Sequence, residues 1–294
     1  MLHVPAHAAT ARLPLLVWIH GCRQSPEQFR DGTRVLAETT GRSWCLLMPR
    51  QARWANPSRC WNWFDPANVE GRGEAAIVLA QIDRVLREAP IDPDRIALAG
   101  LSSGAALAAA IALHAPSRFA AVAMHSGVAC GAARGLASAR RAMAQGPVDD
   151  VVAVARAARH HLHGDGQAGN PPALVIQGLD DPVVAAVNAQ GIARQWLAWH
   201  GADDRELEAV DELQAVEPAR PSSRTVADYR TTDFTLRGRL ATRVILVGGL
   251  GHAWSGGNDA WPFMAPGHLD ATRAIVDFFA GRFAGPVRAE QRST

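Results

Sequence analysis

The amino-acid sequence predicts an α/β fold on a mostly parallel sheet, and three observations carry that expectation. Short apolar runs of β type alternate with longer amphipathic stretches along most of the chain. The β-type runs are near-continuously apolar, the pattern of strands covered by helices on both faces. One strand-to-helix junction carries Gly100-Leu101-Ser102-Ser103-Gly104, a serine bounded by glycines.

The strand candidates are LLVWIH (15–20), WCLLMP (44–49), RIALAG (95–100), FAAVAMHSG (119–127), ALVIQG (173–178) and RVILVGG (243–249). Residues 228–238 read as a further strand that turns into 243–249. A helix over 26–39 has Ser25 as N-cap and Pro26 at its first position. Residues 73–88 place Ala76, Ile77, Leu79, Ala80, Ile82, Val85 and Leu86 between charges, and 104–114, 185–199 and 267–281 complete the helices. Residues 136–170 have weak periodicity and read as a surface excursion with one helix near 148–160, and 202–225 reads as an exposed loop. No internal repeat and no second domain are visible, so one domain over 1–294 is expected.

Composition removes several function classes. The 294 residues are 48% hydrophobic and 20% charged, enough for a large core, and the formal net charge of +2 comes without a dense Lys/Arg run, so nucleic acid is not an expected partner. No apolar run approaches the roughly 20 residues that span a bilayer. The start MLHVPAHAATARLPLLVWIHG lacks the basic first segment of a signal peptide, so the chain either begins inside its fold or lacks an upstream segment. Cys45 and Cys130 sit among apolar or small residues and read as buried free thiols. His160, His161 and His163 read as a solvated loop, and no other spacing suggests zinc, so neither metal nor organic cofactor is expected. A monomer is the expectation.

The chemistry lies in the serine junction. On composition alone a Gly-x-Ser-x-Gly match arises in about one chain in ten of this length, so its context decides. It follows the strand RIALAG and opens a small-residue helix, the setting of a nucleophile elbow in an α/β-hydrolase fold. The turn lifts the Ser102 hydroxyl above the strand ends and leaves the Ser103 N–H at a helix N-terminus, facing developing negative charge. The base and acid of that fold follow in the order Ser, acid, His. His252 lies in a Gly-rich loop after a strand (VGGLGHAWSGGN) and fits the base, whereas His125 falls too early in that order and His268 starts a helix. Asp180 and Asp181 both follow the strand ALVIQG, and position does not separate them. The backbone N–H of Cys22, just after the first core strand, would be the second oxyanion donor.

The stretch RCWNWFDP (59–66) puts Cys60, Trp61, Trp63 and Phe64 on a loop between turn residues. Trp61, Trp63 and Trp254, two residues after His252, are candidates for a flat apolar substrate surface, since a Trp buries on the order of 150–250 Å².

The blocks PLLVWIHGCRQSPEQF, NPSRCWNWFDP, DPDRIALAGLSSGAALAAAIALHAPSRFAAVAMHSGVACGAA, IQGLDDPVVAAVN and GLGHAWSGG occur in that order. Together they resemble the catalytic domain of polyhydroxyalkanoate (poly-3-hydroxybutyrate) depolymerase-family esterases, to which feruloyl and acetylxylan esterases are related. The resemblance runs from about residue 2 to 281. It implies Ser102 as nucleophile, His252 as base, Asp181 as the acid and Cys22 N–H as oxyanion donor. It also implies a disulfide between Cys22 and Cys60, and secretion or a periplasmic location, against a cytoplasmic one for a chain without an export signal. The separate polymer-adsorbing domain of extracellular polymer degraders is not visible here. The expected activity is therefore hydrolysis of short-chain hydroxyalkanoate polyester or its oligomers. The alternatives are a feruloyl/acetylxylan-type or general short-chain esterase and, more remotely, a non-catalytic binding protein on the same fold.

Overall fold

The computed structural model describes residues 1–5, 12–163, 170–215 and 229–284. In chain order these form β1 (Leu2–His3), β2 (Leu13–Ile19), α1 (Pro26–Thr33), α2 (Val35–Thr40), β3 (Cys45–Leu47), α3 (Pro66–Val69), α4 (Gly73–Glu88) and β4 (Ile91–Leu101). There follow α5 (Ser103–His114), β5 (Ala121–His125), α6 (Leu136–Gln145), α7 (Val151–His163), β6 (Ala173–Gly178), α8 (Val187–His200) and α9 (Asp204–Glu208). The chain continues through β7 (Tyr229–Leu236), β8 (Arg239–Val247), β9 (Trp254–Ser255), β10 (Met264–Ala265) and α10 (Ala271–Phe283).

Eight strands make one sheet in the order β1-β3-β2-β4-β5-β6-β8-β7. The six inner strands are parallel, while β1 and β7 run antiparallel to their neighbours at the two edges. In β2, Leu15, Val17 and Ile19 face the helices α4, α5 and α8, and Leu16 and Trp18 face α1, α2 and α10. Both faces of the strand are therefore buried, which is why its sequence shows no polar alternation. The Ala-rich α5 is buried all round and lies close on the sheet.

The expected helix over 26–39 is two helices. It begins as expected, with a capping box in which Ser25 Oγ accepts from the Gln28 N–H and Gln28 Oε1 from the Ser25 N–H. It breaks at Arg34, whose φ of 56° leaves the right-handed helix. β1 carried no sequence signal because it is two residues long, and β4 is longer than its apolar run because Ile91 pairs with Leu13 across an irregularity. The 136–163 excursion holds two helices, not one: α7 packs on α8, and His160 and His161 lie exposed on that helix rather than on a loop. No group of His, Cys, Asp and Glu among the described residues could hold a metal ion. The expected exposed loop over 202–225 is not borne out in its first half, where α9 and a short 3-10 turn (Asp211–Ala215) bury Leu207, Val210 and Leu213. Residues 164–169 and 216–228, and with them the rest of that segment, lie outside the described residues.

The parallel strands bring the ends of β4, β6 and β8 to one edge of the sheet, where ligands bind in folds of this kind. The junction there is tight. A Cβ on Gly104 would lie 2.4 Å from the Ile19 carbonyl oxygen and 2.5 Å from that of His20, so α5 starts in contact with the backbone of β2. Gly104→Ala is expected to destabilise by at least about 1–3 kcal/mol, the range for overpacking, whereas Gly41→Ala, with nothing within 4 Å of its Cβ, leaves stability unchanged. Urea denaturation of the two variants checks this.

Candidate active site

Ser102 lies between the last residue of β4 and the first of α5, with φ 55° and ψ −119°. For a residue with a side chain such a backbone costs on the order of 1–3 kcal/mol and persists only when its surroundings hold it. The Ser102 N–H donates to the His125 carbonyl at 2.9 Å, and Ser102 C=O accepts from Ala106 N–H at 3.0 Å, so both sides of the turn are fixed.

The loop after β8 brings His252 Nε2 to 3.0 Å from Ser102 Oγ. Its Nδ1 lies 2.8 Å from Asp181 Oδ2, in the loop after β6. The Asp181 carboxylate is fully buried and the His252 ring is 12% exposed. Asp181 Oδ1 accepts from the N–H groups of Val183 and Val184 at 2.9 and 2.8 Å. Burial alone would raise its pKa. The hydrogen bond and charge of His252 and the two N–H groups outweigh that, and the net shift is downward, so the carboxylate stays ionised. An ionised Asp181 fixes the tautomer: Nδ1–H donates to it, and Nε2 is left to accept the Ser102 proton. Asp180 is exposed and makes no such bond. The ambiguity in the sequence is thus a difference in direction between adjacent side chains.

Cys22 follows β2, and neither its N–H nor that of Ser103 has a hydrogen-bond acceptor among the described residues. Both residues line the same cavity as Ser102. Cys22 is joined to Cys60 by a disulfide of 2.10 Å, and further contacts bind the two loops. Arg23 N–H donates to the Ser58 carbonyl at 2.7 Å. Ser103 Oγ accepts from Trp61 N–H at 3.3 Å and donates to Cys22 Sγ at 3.4 Å. In the chain-entropy account, closing a loop with the sequence separation of 38 stabilises the fold by about 4 kcal/mol.

The three tryptophans expected at the substrate separate. Trp63 does line the cavity, edge-on to Phe64 with ring centres 5.5 Å apart. Trp61 is turned inward, 3% exposed, and its Nε1–H donates to the His20 carbonyl at 2.9 Å. Trp254 is fully buried, stacked on His125 at 4.9 Å and edge-on to Trp18 at 5.0 Å, with its Nε1–H on Thr272 Oγ1 at 3.0 Å. The expectation of a substrate surface fails for Trp61 and Trp254. Each ring has an apolar body and one N–H, and the core supplies a partner for both.

Other residues of the site gave no sequence signal. Glu74, in the first turn of α4, accepts from the N–H and Nδ2 of Asn62, both at 2.7 Å, and also from Gln51 and Asn68. This one carboxylate holds the aromatic loop from behind. His20 and His125 flank the serine strand. His20 Nε2 accepts from Gln51 N–H at 3.2 Å, and His125 Nε2 accepts from Ser255 N–H at 3.1 Å. α6 spans the cavity: Gly135 N–H donates to Phe64 C=O at 3.0 Å, and Met143 C=O accepts from Ala185 N–H at 2.8 Å and Asn188 Nδ2 at 2.9 Å. The cavity of about 290 Å³ is walled by Trp63, Phe64, Val128, Leu136, Met143 and Val184 and opens on Ser102. α6 shows little periodicity in the sequence because the buried positions of its inner face are alanines, Ala139 and Ala142.

A parallel sheet flanked by helices, with Ser, His and Asp hydrogen-bonded in line at its carboxyl edge, defines the class as an α/β-hydrolase. Residues 1–212 match the family described as esterase PHB depolymerase, and the chain belongs to it, a family of carboxylic-ester hydrolases. Poly(3-hydroxyalkanoate) depolymerase C of Paucimonas lemoignei is 31% identical over 203 residues, covering 68% of this chain and 48% of that protein. Feruloyl esterase B of Thermothelomyces thermophilus is 27% identical over 191 residues, 62% of this chain and 64% of that one. The chain thus spans between about half and two thirds of the length of these relatives. An acetyl xylan esterase structure from Aspergillus awamori superposes with a TM-score of 0.69 at 17% identity, over 95% of this chain and 92% of that one, and so shares the fold.

Two measurements test the frame of the site. Alkylation of unfolded, unreduced protein is expected to modify Cys45 and Cys130 alone, and modification of Cys22 or Cys60 would contradict the disulfide. Burial, the first cause in each case, lowers His20 to about 4 and His125 to about 3, from 6.5 when unfolded. Both are neutral in the fold and take up protons on unfolding, so their contribution is complete above about pH 6.5 and is lost as pH falls toward 4. Calorimetry should give a lower Tm at pH 5 than at pH 7.5, and an equal or higher Tm would contradict buried neutral histidines.

Proposed function

We propose that this esterase works through an acyl-enzyme on Ser102, and the observation that carries the reading is the Ser102–His252–Asp181 line beneath an apolar cavity. Ser102 Oγ attacks the ester carbonyl while His252 Nε2 takes its proton. The Asp181 carboxylate holds the ring and stabilises the imidazolium. The free N–H groups of Cys22 and Ser103 receive the oxyanion, and losing one such donor typically costs about 3 kcal/mol of transition-state stabilisation. His252 then protonates the leaving alcohol, water takes its place, and the same groups act again to release the acid. Every proton transfer has a partner among these residues, so no metal or organic cofactor enters the scheme.

The substrate we favour is a short-chain hydroxyalkanoate polyester or its oligomers. The support is the apolar wall of the cavity and the likeness to a poly(3-hydroxyalkanoate) depolymerase. A carbohydrate ester with an aromatic acyl group is the second reading. Asn56 and Ser58 also line the cavity and would suit a phenolic hydroxyl, and the feruloyl esterase relative points the same way. The disulfide suits an oxidising compartment, which supports secretion or a periplasmic location. No helix among the described residues is long and apolar enough to cross a membrane.

Ser102→Ala is expected to lower p-nitrophenyl butyrate hydrolysis at least about a thousandfold, and retained activity would remove the mechanism. Clearing of a poly-3-hydroxybutyrate suspension, compared with ferulate and acetate release from xylan, separates the substrates. Faster xylan de-esterification favours the second reading. Met143→Ala, which opens the far wall of the cavity, is expected to raise kcat/KM for octanoate relative to butyrate esters by about tenfold. An unchanged ratio would place the acyl chain elsewhere.

A further inference from the structure

The edge of the sheet opposite Ser102 holds a second cavity, also of about 290 Å³. It lies where β7 turns into β8 and where α8 and α10 end. Arg159, Arg237, Arg239 and Arg282 line it together with His200, and no acidic side chain among the described residues does. Among the described residues, none of the four arginines forms an ion pair. Among the described residues Asp233 is the one acid close enough to act on Arg282, and both its oxygens are already held by Arg243 at 2.6 Å. The ends of α8 and α10 supply about half a negative charge each, which does not oppose four guanidiniums.

Two groups register the uncompensated charge. Arg282, packed over the Phe278 ring at 5.5 Å, has its pKa lowered by burial and by Arg243 and Arg239. His200 is lowered to about 4 by burial, with Arg239 and Arg159 adding to it although its bond to Pro171 C=O opposes the shift. Like charges set in a concavity focus a positive potential. Guanidinium forks match the paired oxygens of carboxylate and phosphate. From the juxtaposition of four arginines around one cavity, none with an ion-pair partner among the described residues, we infer a binding site for a small oxyanion of at least two negative charges, of phosphate or carboxylate type. Its place at the far edge of the sheet makes it independent of the ester chemistry.

Titration calorimetry of the full chain with pyrophosphate and with citrate, against sodium chloride of equal ionic strength, tests the site. Saturable binding at one site per chain is expected for at least one of them, and the tighter ligand identifies phosphate or carboxylate as the group recognised. The pair Arg239→Gln with Arg282→Gln should weaken binding at least tenfold and leave p-nitrophenyl butyrate hydrolysis unchanged. Arg282 packs on Phe278, so Arg237→Gln with Arg239→Gln, both exposed, is the companion variant should the first misfold. No binding beyond the chloride control, or full affinity retained in the folded variants, would overturn the inference.

Discussion

The contact between the start of α5 and the end of β2 is the constraint on which the site depends. Gly104 brings a helix turn against the carbonyls of Ile19 and His20, at a distance no side chain allows. Gly100 does the same from the strand side, since a Cβ there would lie 2.5 Å from the Gly104 carbonyl carbon. Between them Ser102 is held at φ 55°, and its hydroxyl stands clear of the sheet. The same approach sets Ser103 beside the loop after β2, where Ser103 Oγ touches Cys22 Sγ. The position of Ser102, the two N–H groups without an acceptor among the described residues and the loop carrying Cys22 are thus consequences of one close packing.

The strain at Ser102 requires rigid surroundings, and three devices supply them. The disulfide joins the Cys22 loop to the aromatic loop. Glu74 holds the aromatic loop through Asn62, Asn68 and Gln51. His20 and His125 are buried, neutral, and hydrogen-bonded through both ring nitrogens. Neutrality matters: a charged imidazole at His125 would place a second cation beside His252, and their mutual repulsion is among the causes that lower His125. In the proposed mechanism this fixed geometry would let the imidazole and the donors act without reorganising during reaction.

The strand cores and the serine junction were legible in the sequence because both are local. A buried parallel strand is a short apolar run, and an elbow needs glycines two residues either side of its serine. By position Asp181 was legible only as one of a pair, and it took the family resemblance to select it, since which carboxylate turns inward depends on the Val183 and Val184 N–H groups that receive it. Trp61 and Trp254 were misread for a related reason. Their sequence neighbours place them at the site, but the faces they present are set by His20, Thr272 and Trp18, distant in the chain. Glu74 and the cavity face of α6 gave no signal, because their contacts are made with loops whose course the sequence does not display.

The central claim is that one serine, aligned by His252 and Asp181, is the reacting group. A fluorophosphonate probe tests it most directly, with the modified residue located by peptide mass spectrometry. The account predicts a single adduct on Ser102, formed by the folded protein and abolished by prior unfolding. An unlabelled folded protein, or an adduct on any other residue, would contradict it.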